Sequence, residues 1–324
     1  MANLAIIGAG AWGSSLAIAL STKFDTVYLY AHTKTEVTRL KPQHHALPVE
    51  YSDNIKILAD KSNLGDSDSI LIAVPSYGFS STLNEIKPLI NEAHKLAWVT
   101  KGFDTVENCF LHESFEKIIP EKSACVISGP SFAYEVADNK PTAVVVASKD
   151  KSTRDYFSDL IQTNYLRAYT NKDIVGVEIG GSVKNILAIA AGIASGLGYG
   201  INTQAALITR GLAEMTRLGV SLGADKSTFI GLSGLGDLVL TCSDDLSRNR
   251  RFGKELAKNH NVENALKNVG ATVEGLNTLD LILSIATSNK VEMPICEQVY
   301  YVTQGKATPV EAVNHLMSRE QINE

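Results

Sequence analysis

The sequence predicts an α/β protein, with an N-terminal Rossmann-like, doubly wound sheet followed by an all-helical C-terminal domain. Three observations carry this expectation. Short apolar runs alternate with helical stretches up to about residue 171, the pattern of a mostly parallel sheet. A G-x-G-x-x-G turn joins the first run to the first helix. Beyond that point the strand signal stops and helix follows helix. A chain of 324 residues suits two domains, and the change of pattern places them at 1–172 and 173–324.

Each element has its own reason. Leu4-Ala5-Ile6-Ile7 is short, apolar and partly β-branched, as in a strand buried on both faces. Gly8, Gly10 and Gly13 follow, then helical sequence from Ser14 to Leu20. Further strands are expected at 26–32, 69–75, 95–102, 124–131 and 141–148, with weaker candidates at 54–58 and 166–170. Helices are expected at 80–90 and 151–162. From Ile174 onward come eight helical stretches, the first of them rich in glycine, serine and alanine. Residues 185–209 carry no charge and are long enough to span a bilayer. Asn185, Asn202, Gln204 and the break "SGLGYG" argue instead for two buried helices with a loop between them.

Composition narrows the function. Apolar content of 44% and charged content of 20% are those of a soluble globular protein. A net charge of −5 argues against a general nucleic-acid or membrane-surface binder. Four scattered cysteines without C-x-x-C suggest a reducing compartment. With no signal-peptide pattern before the first strand, a cytoplasmic protein is expected. The seven histidines show no metal-ligand spacing, and no metal is expected. There is no G-x-S-x-G elbow.

Strand, glycine turn and helix in succession form the dinucleotide-binding context. The first glycine permits a tight turn, the second close approach of a pyrophosphate, the third close helix–strand packing. The alternative is a glycine turn with no ligand. Lys101 in "TKG", and Gly129, Pro130 and Ser131 in "SGPS", lie at carboxyl ends of strands, where open α/β sheets bind ligands. Lys101 could equally be a solvated loop lysine. Lys184 lies with Asn185 in the small-residue helix, and lysine is rarely buried unpaired. It is a candidate acid/base, or else a lysine at the helix rim. Ser247, Arg248 and Asn249 open a helix and form a candidate anion site, unless they are part of a solvated basic face. Just upstream, a glycine-rich loop precedes Asp237 and Thr241. At the end of the second strand, Ala31 and His32 stand where an NAD-specific site places an acid. Glu36 is expected to face solvent on the next helix, so His32 and Lys34 would favour a 2′-phosphate.

The stretches "GAGAWGSSLA", "TKG", "ISGPSFA", "GVEIGGSVKNILAIAAGIASGLGYG", "GLSGLGDLVLTC" and "SRNRRFG" together resemble the bacterial NAD(P)-dependent sn-glycerol-3-phosphate dehydrogenases, from Leu4 to about Leu316. The resemblance implies hydride transfer between a nicotinamide and carbon 2 of dihydroxyacetone phosphate, giving sn-glycerol 3-phosphate for glycerophospholipid synthesis. It implies Lys184 as the catalytic lysine and Lys101 as a second active-site lysine touching substrate and cofactor. Gly129, Ser131, Asn185, Asp237, Thr241, Ser247, Arg248 and Asn249 would complete the substrate set. Gly8, Gly10, Ala11, Trp12, Gly13, His32, Ala133 and Glu274 would contact NAD or NADP, with Arg248 also near the nucleotide. NADPH should be accepted at least as well as NADH. A homodimer is implied. Two features depart from the pattern. Ala11 replaces a polar residue of the glycine loop, and Asp244 and Asp245 lie unfavourably close to a phosphate site unless turned outward. A related β-hydroxyacid dehydrogenase and a nucleotide-binding redox sensor are the alternative readings.

Overall fold

The computed structural model describes residues 2–319. The chain divides into two compact units, Met1–Glu178 and Ile179–Glu324. The first holds eight strands: β1 (Asn3–Ile7), β2 (Thr26–Tyr30), β3 (Ile55–Leu58), β4 (Ser69–Ile72), β5 (Lys95–Trp98), β6 (Ala124–Ser128), β7 (Thr142–Ala147) and β8 (Leu166–Asn171). They form one sheet in the order β3-β2-β1-β4-β5-β6-β7-β8. The first six run parallel, β7 is antiparallel to β6, and β8 is parallel to β7. Both weaker strand candidates are present, as β3 and β8.

Six helices cover this sheet: α1 (Ala11–Leu20), α2 (Lys34–Leu40), α3 (Phe79–Ile86), α4 (Leu111–Ile118), α5 (Ala133–Ala137) and α6 (Lys151–Ile161). Alternation along each strand sends successive side chains to opposite faces. On one face Leu4, Ile6, Val27, Leu29, Ala97 and Val99 pack with Leu16 and Leu20 of α1, Leu40 of α2, and Phe157 and Ile161 of α6. On the other, fully buried Trp98 meets Phe79 at 5.7 Å and Phe115 of α4 at 5.6 Å between ring centroids. Burial on both faces explains the near-continuous apolar strands. The strand order reverses between β1 and β4, the crevice where such sheets bind ligands.

The sequence reading did not mark α4 or α5. In α4 the signal is present: Leu111, Phe115 and Ile118 recur at helical spacing and are buried, and Glu113 reaches back to the Phe110 N–H at 2.9 Å. At five residues, α5 is too short for periodicity to show.

The remaining helices are α7 (Ile174–Gly196), α8 (Ile201–Ser221), α9 (Lys226–Phe229), α10 (Asp237–Ser243), α11 (Arg248–Asn259), α12 (Val262–Val269), α13 (Glu274–Ser288), α14 (Pro294–Thr303) and α15 (Pro309–Met317). A π turn, Leu232–Gly236, leads into α10, where a loop was expected. The compact units meet in sequence within α7, between Glu178 and Ile179.

By length and composition α7 could cross a membrane, but most of its apolar span is buried. The expectation of two buried helices holds only for α7. The first turns of α8 are largely exposed, with Ile201 at 82%. Where α7 crosses α11, glycine is required on both sides. A Cβ on Gly192 would lie 2.1 Å from Arg250 O, and one on Gly253 would lie 2.1 Å from Ile189 O. The two backbones touch, which seats the start of α11 near Lys184 and Asn185.

Candidate active site

The three glycines of the first turn differ in what surrounds them. Gly8 has φ +112, and a Cβ there would sit 2.6 Å from Ala73 O. On Gly13 a Cβ would lie 1.9 Å from Gly8 O, so only glycine lets α1 start against the end of β1. Gly10 has no atom within 4 Å of a Cβ position. It caps α1 without a side-chain hydrogen bond, and no acid lies in the first turn. The result is an open cradle of backbone N–H groups at a helix start, which fits a pyrophosphate. Ala11 and Trp12 open that helix. Two residues the sequence reading missed brace the turn: Tyr51 OH donates to Ser14 Oγ at 2.8 Å, and Ser14 Oγ donates to Ala9 O at 3.2 Å.

Other predicted residues gather at the carboxyl ends of neighbouring strands. Lys101 Nζ donates to Gly129 O at 2.9 Å, and Ser131 Oγ donates to the same oxygen at 3.0 Å. Gly129 has φ +142 and lies tight over Val144. Ala133 opens α5, which packs against α1. At the end of β2 the structure corrects one expectation. Glu36 is only partly exposed. Its carboxylate turns back and accepts the His32 N–H at 2.8 Å, while its own N–H donates to Thr33 Oγ1 at 3.2 Å. The stretch T-K-T-E has the capping-box pattern; Thr33 caps α2, but the return bond of Glu36 goes to the His32 N–H, one residue before the cap. His32 and Lys34 are exposed.

In the helical unit, Lys184 is buried in α7. Its Nζ donates to Asp237 Oδ1 at 2.7 Å and to Thr241 Oγ1 at 2.8 Å. Thr241 Oγ1 in turn donates to Asp237 O at 2.6 Å. Asp237 and Thr241 stand one turn apart on α10 and present both groups to the ammonium. Cys242, beside them, is buried, and burial pushes its thiol up to about 12; it is no nucleophile.

Asn249 Nδ2 donates to Asn185 Oδ1 at 3.1 Å, and Asn249 Oδ1 accepts the Gly275 N–H at 2.9 Å. One amide thus ties α7, α11 and the start of α13, where Glu274 is the first residue. Ser247 caps α11 by accepting the Arg250 N–H at 3.2 Å. Arg248, the first residue of that helix, is exposed. The neighbouring acids are engaged elsewhere. Asp245 pairs with Arg250 and, at 2.7 Å, with Lys254. Asp244 Oδ1 accepts the Leu246 N–H at 2.7 Å. Arg250 also donates to Ser195 Oγ at 3.2 Å, so it braces α11 against α7 while Arg248 stays exposed.

Known proteins match this architecture over its whole length. The family model for the N-terminus of NAD-dependent glycerol-3-phosphate dehydrogenase matches residues 3–154, and that for its C-terminus residues 173–314. A glycerol-3-phosphate dehydrogenase [NAD(P)+] of Ruthia magnifica is 73% identical over 99% of each chain. One of Idiomarina loihiensis is 42% identical, also over 99% of each. The crystal structure of glycerol-3-phosphate dehydrogenase from Coxiella burnetii superimposes with a TM-score of 0.93 at 40% identity, over 98% of this chain and 99% of that one. With glycine cradle, strand ends and lysine-bearing helix all lying inside the matched spans, the chain belongs to the NAD-dependent glycerol-3-phosphate dehydrogenase family.

Proposed function

We propose that this chain reduces dihydroxyacetone phosphate to sn-glycerol 3-phosphate with NADPH or NADH, supplying a precursor of glycerophospholipids. The observation that carries the mechanism is the buried contact of Lys184 with Asp237 and Thr241. When bound, the nicotinamide supplies the hydride that reduces carbon 2 of the substrate. Lys184 Nζ gives a proton to the carbonyl oxygen as charge develops there, the task of a general acid. Asp237 compensates the ammonium charge in a buried site. Lys101 adds electrostatic stabilisation of that oxygen, held by its bond to Gly129 O. Arg248 binds the substrate phosphate, and Asn185 and Asn249 keep the start of α11 in register. The phosphate contact is remote from the reacting carbon and serves to orient it.

Gly8, Gly10 and Gly13 would hold the dinucleotide with Ala11, Trp12 and Ala133. His32 and Lys34 favour a 2′-phosphate, so NADPH is accepted at least as well as NADH. Residues 1–172 form the cofactor domain in this reading and 173–324 the catalytic one. The four cysteines are free, in keeping with a cytoplasmic enzyme. The family resemblance supports a homodimer.

The deciding experiment mixes the pure protein with dihydroxyacetone phosphate and either nicotinamide and follows loss of reduced-nicotinamide absorbance. Turnover with the phosphorylated ketone, and little with non-phosphorylated hydroxyacid or ketoacid substrates, is expected. No turnover of dihydroxyacetone phosphate with either cofactor overturns the reading.

A further inference from the structure

We infer that Glu36 reads the 2′ position of the cofactor's adenosine ribose and restrains the preference for the phosphorylated nicotinamide. The inference rests on the dehydrogenase reading and deepens it. Three features of the first unit carry it.

The first is place. Gly8 N donates to Tyr30 O at 2.9 Å, so the end of β2 lies against the glycine cradle. The second is attachment: the Glu36 carboxylate accepts, at 2.8 Å, the N–H of His32, two residues beyond Tyr30. The third is fixation. Glu36 is half-buried and held at both ends, by His32 N and by Thr33 Oγ1.

A carboxylate held beside the end of the second strand accepts hydrogen bonds from ribose hydroxyls and repels a dianionic 2′-phosphate. One such acid shares this turn with two exposed groups of opposite tendency, His32 and Lys34. That balance gives a site open to both nicotinamides, with the margin set by Glu36.

Glu36→Gln tests this directly, because glutamine keeps an oxygen for the His32 N–H and loses only the charge. Equilibrium titrations without substrate would give Kd for NADPH, NADH, 2′,5′-ADP and 5′-AMP. The NADPH-to-NADH affinity ratio should rise on the order of tenfold, allowing for screening by salt. The ratio for 2′,5′-ADP over 5′-AMP should rise in step. Glu36→Ala, which removes charge and cap together, should move both ratios the same way. Ratios that stay within about twofold of the parent chain, or that move toward the unphosphorylated partner, overturn the inference. Binding and turnover separate the two proposals. A shifted ratio in a protein that turns over no dihydroxyacetone phosphate sinks the dehydrogenase reading alone. An unmoved ratio in an active enzyme sinks only the role of Glu36.

Discussion

Lys184 Nζ lies 2.7 Å from Asp237 Oδ1, with the two side chains 9% and 1% exposed. A charge pair this deeply buried is costly to form and weak as a source of stability, but removing one partner leaves the other without compensation. The pair is better explained by a need for an ammonium at that spot. Lys184→Ala should cut kcat by roughly 10²–10⁴-fold while leaving NADPH binding, measured by nicotinamide fluorescence, within about twofold. Asp237→Asn should also lose most activity, since it keeps an acceptor for the ammonium but removes the negative charge that compensates it. A pure, folded Lys184→Ala protein with near-parental kcat would remove the assignment.

Arg248 begins α11 and is exposed, while the adjacent Arg250 is committed to Asp245 and Ser195. The two arginines should therefore respond differently. Arg248→Ala should raise KM for dihydroxyacetone phosphate roughly ten- to a hundredfold, the worth of a hydrogen bond to a charged group, with kcat less affected. Arg250→Ala should lower the melting temperature first. A parental ratio of kcat/KM between dihydroxyacetone phosphate and dihydroxyacetone in Arg248→Ala rules out the phosphate role.

Gly253 tests whether the crossing of α7 and α11 positions the site. A methyl there would lie 2.1 Å from Ile189 O and 2.8 Å from Ile193 N, both backbone atoms that cannot swing aside. Gly253→Ala should cost about 1–3 kcal/mol of stability, as overpacking does, and should raise KM for the phosphorylated substrate by displacing Ser247, Arg248 and Asn249. Gly65→Ala is the control, because nothing lies within 4 Å of its Cβ position; it should stay within about 0.5 kcal/mol of the parent. Equal melting temperatures for the two variants would show that the helices tolerate separation.

What could be read from sequence was what is local. Gly8, Gly10 and Gly13 declare themselves because they form one pattern within six residues, directly after an apolar strand. Lys184 stood out because lysine conflicts with a helix of small, apolar neighbours. Its partner Asp237 is 53 positions away, and a bond over that separation leaves no mark in either neighbourhood. The same holds for the bond of His112 to Glu178, 66 positions apart. The glycine-rich stretch before Asp237 reads as loop in sequence, yet it is a π turn that feeds straight into α10. Glu36 is a different failure. Its T-x-x-E signal was legible, and full exposure on a short helix was assumed where the carboxylate in fact turns back to the His32 N–H.

Glu214 supplies a test that is independent of catalysis. It lies on α8, 1% exposed, and its carboxylate accepts the Ile295 N–H at 2.7 Å and the Cys296 N–H at 3.3 Å, the opening N–H groups of α14. Burial outweighs these bonds and raises its acid from an ordinary 4.5 to about 7. The sign follows from proton counting. Between those two values the folded chain holds a proton that the unfolded chain has released, so folding is favoured by acid over that range. The contribution is fully present below pH 4.5 and is lost as pH rises through about 7. The difference amounts to about 3 kcal/mol at most. Glu214→Gln cannot ionise, and its amide oxygen can still accept one of the two N–H groups. Urea unfolding at pH 5 and at pH 8 should therefore show the parent losing more stability toward pH 8 than the variant does. Parallel pH dependences for the two proteins would mean that Glu214 titrates as it does in water, and that burial at the α8–α14 contact is not what sets its proton affinity.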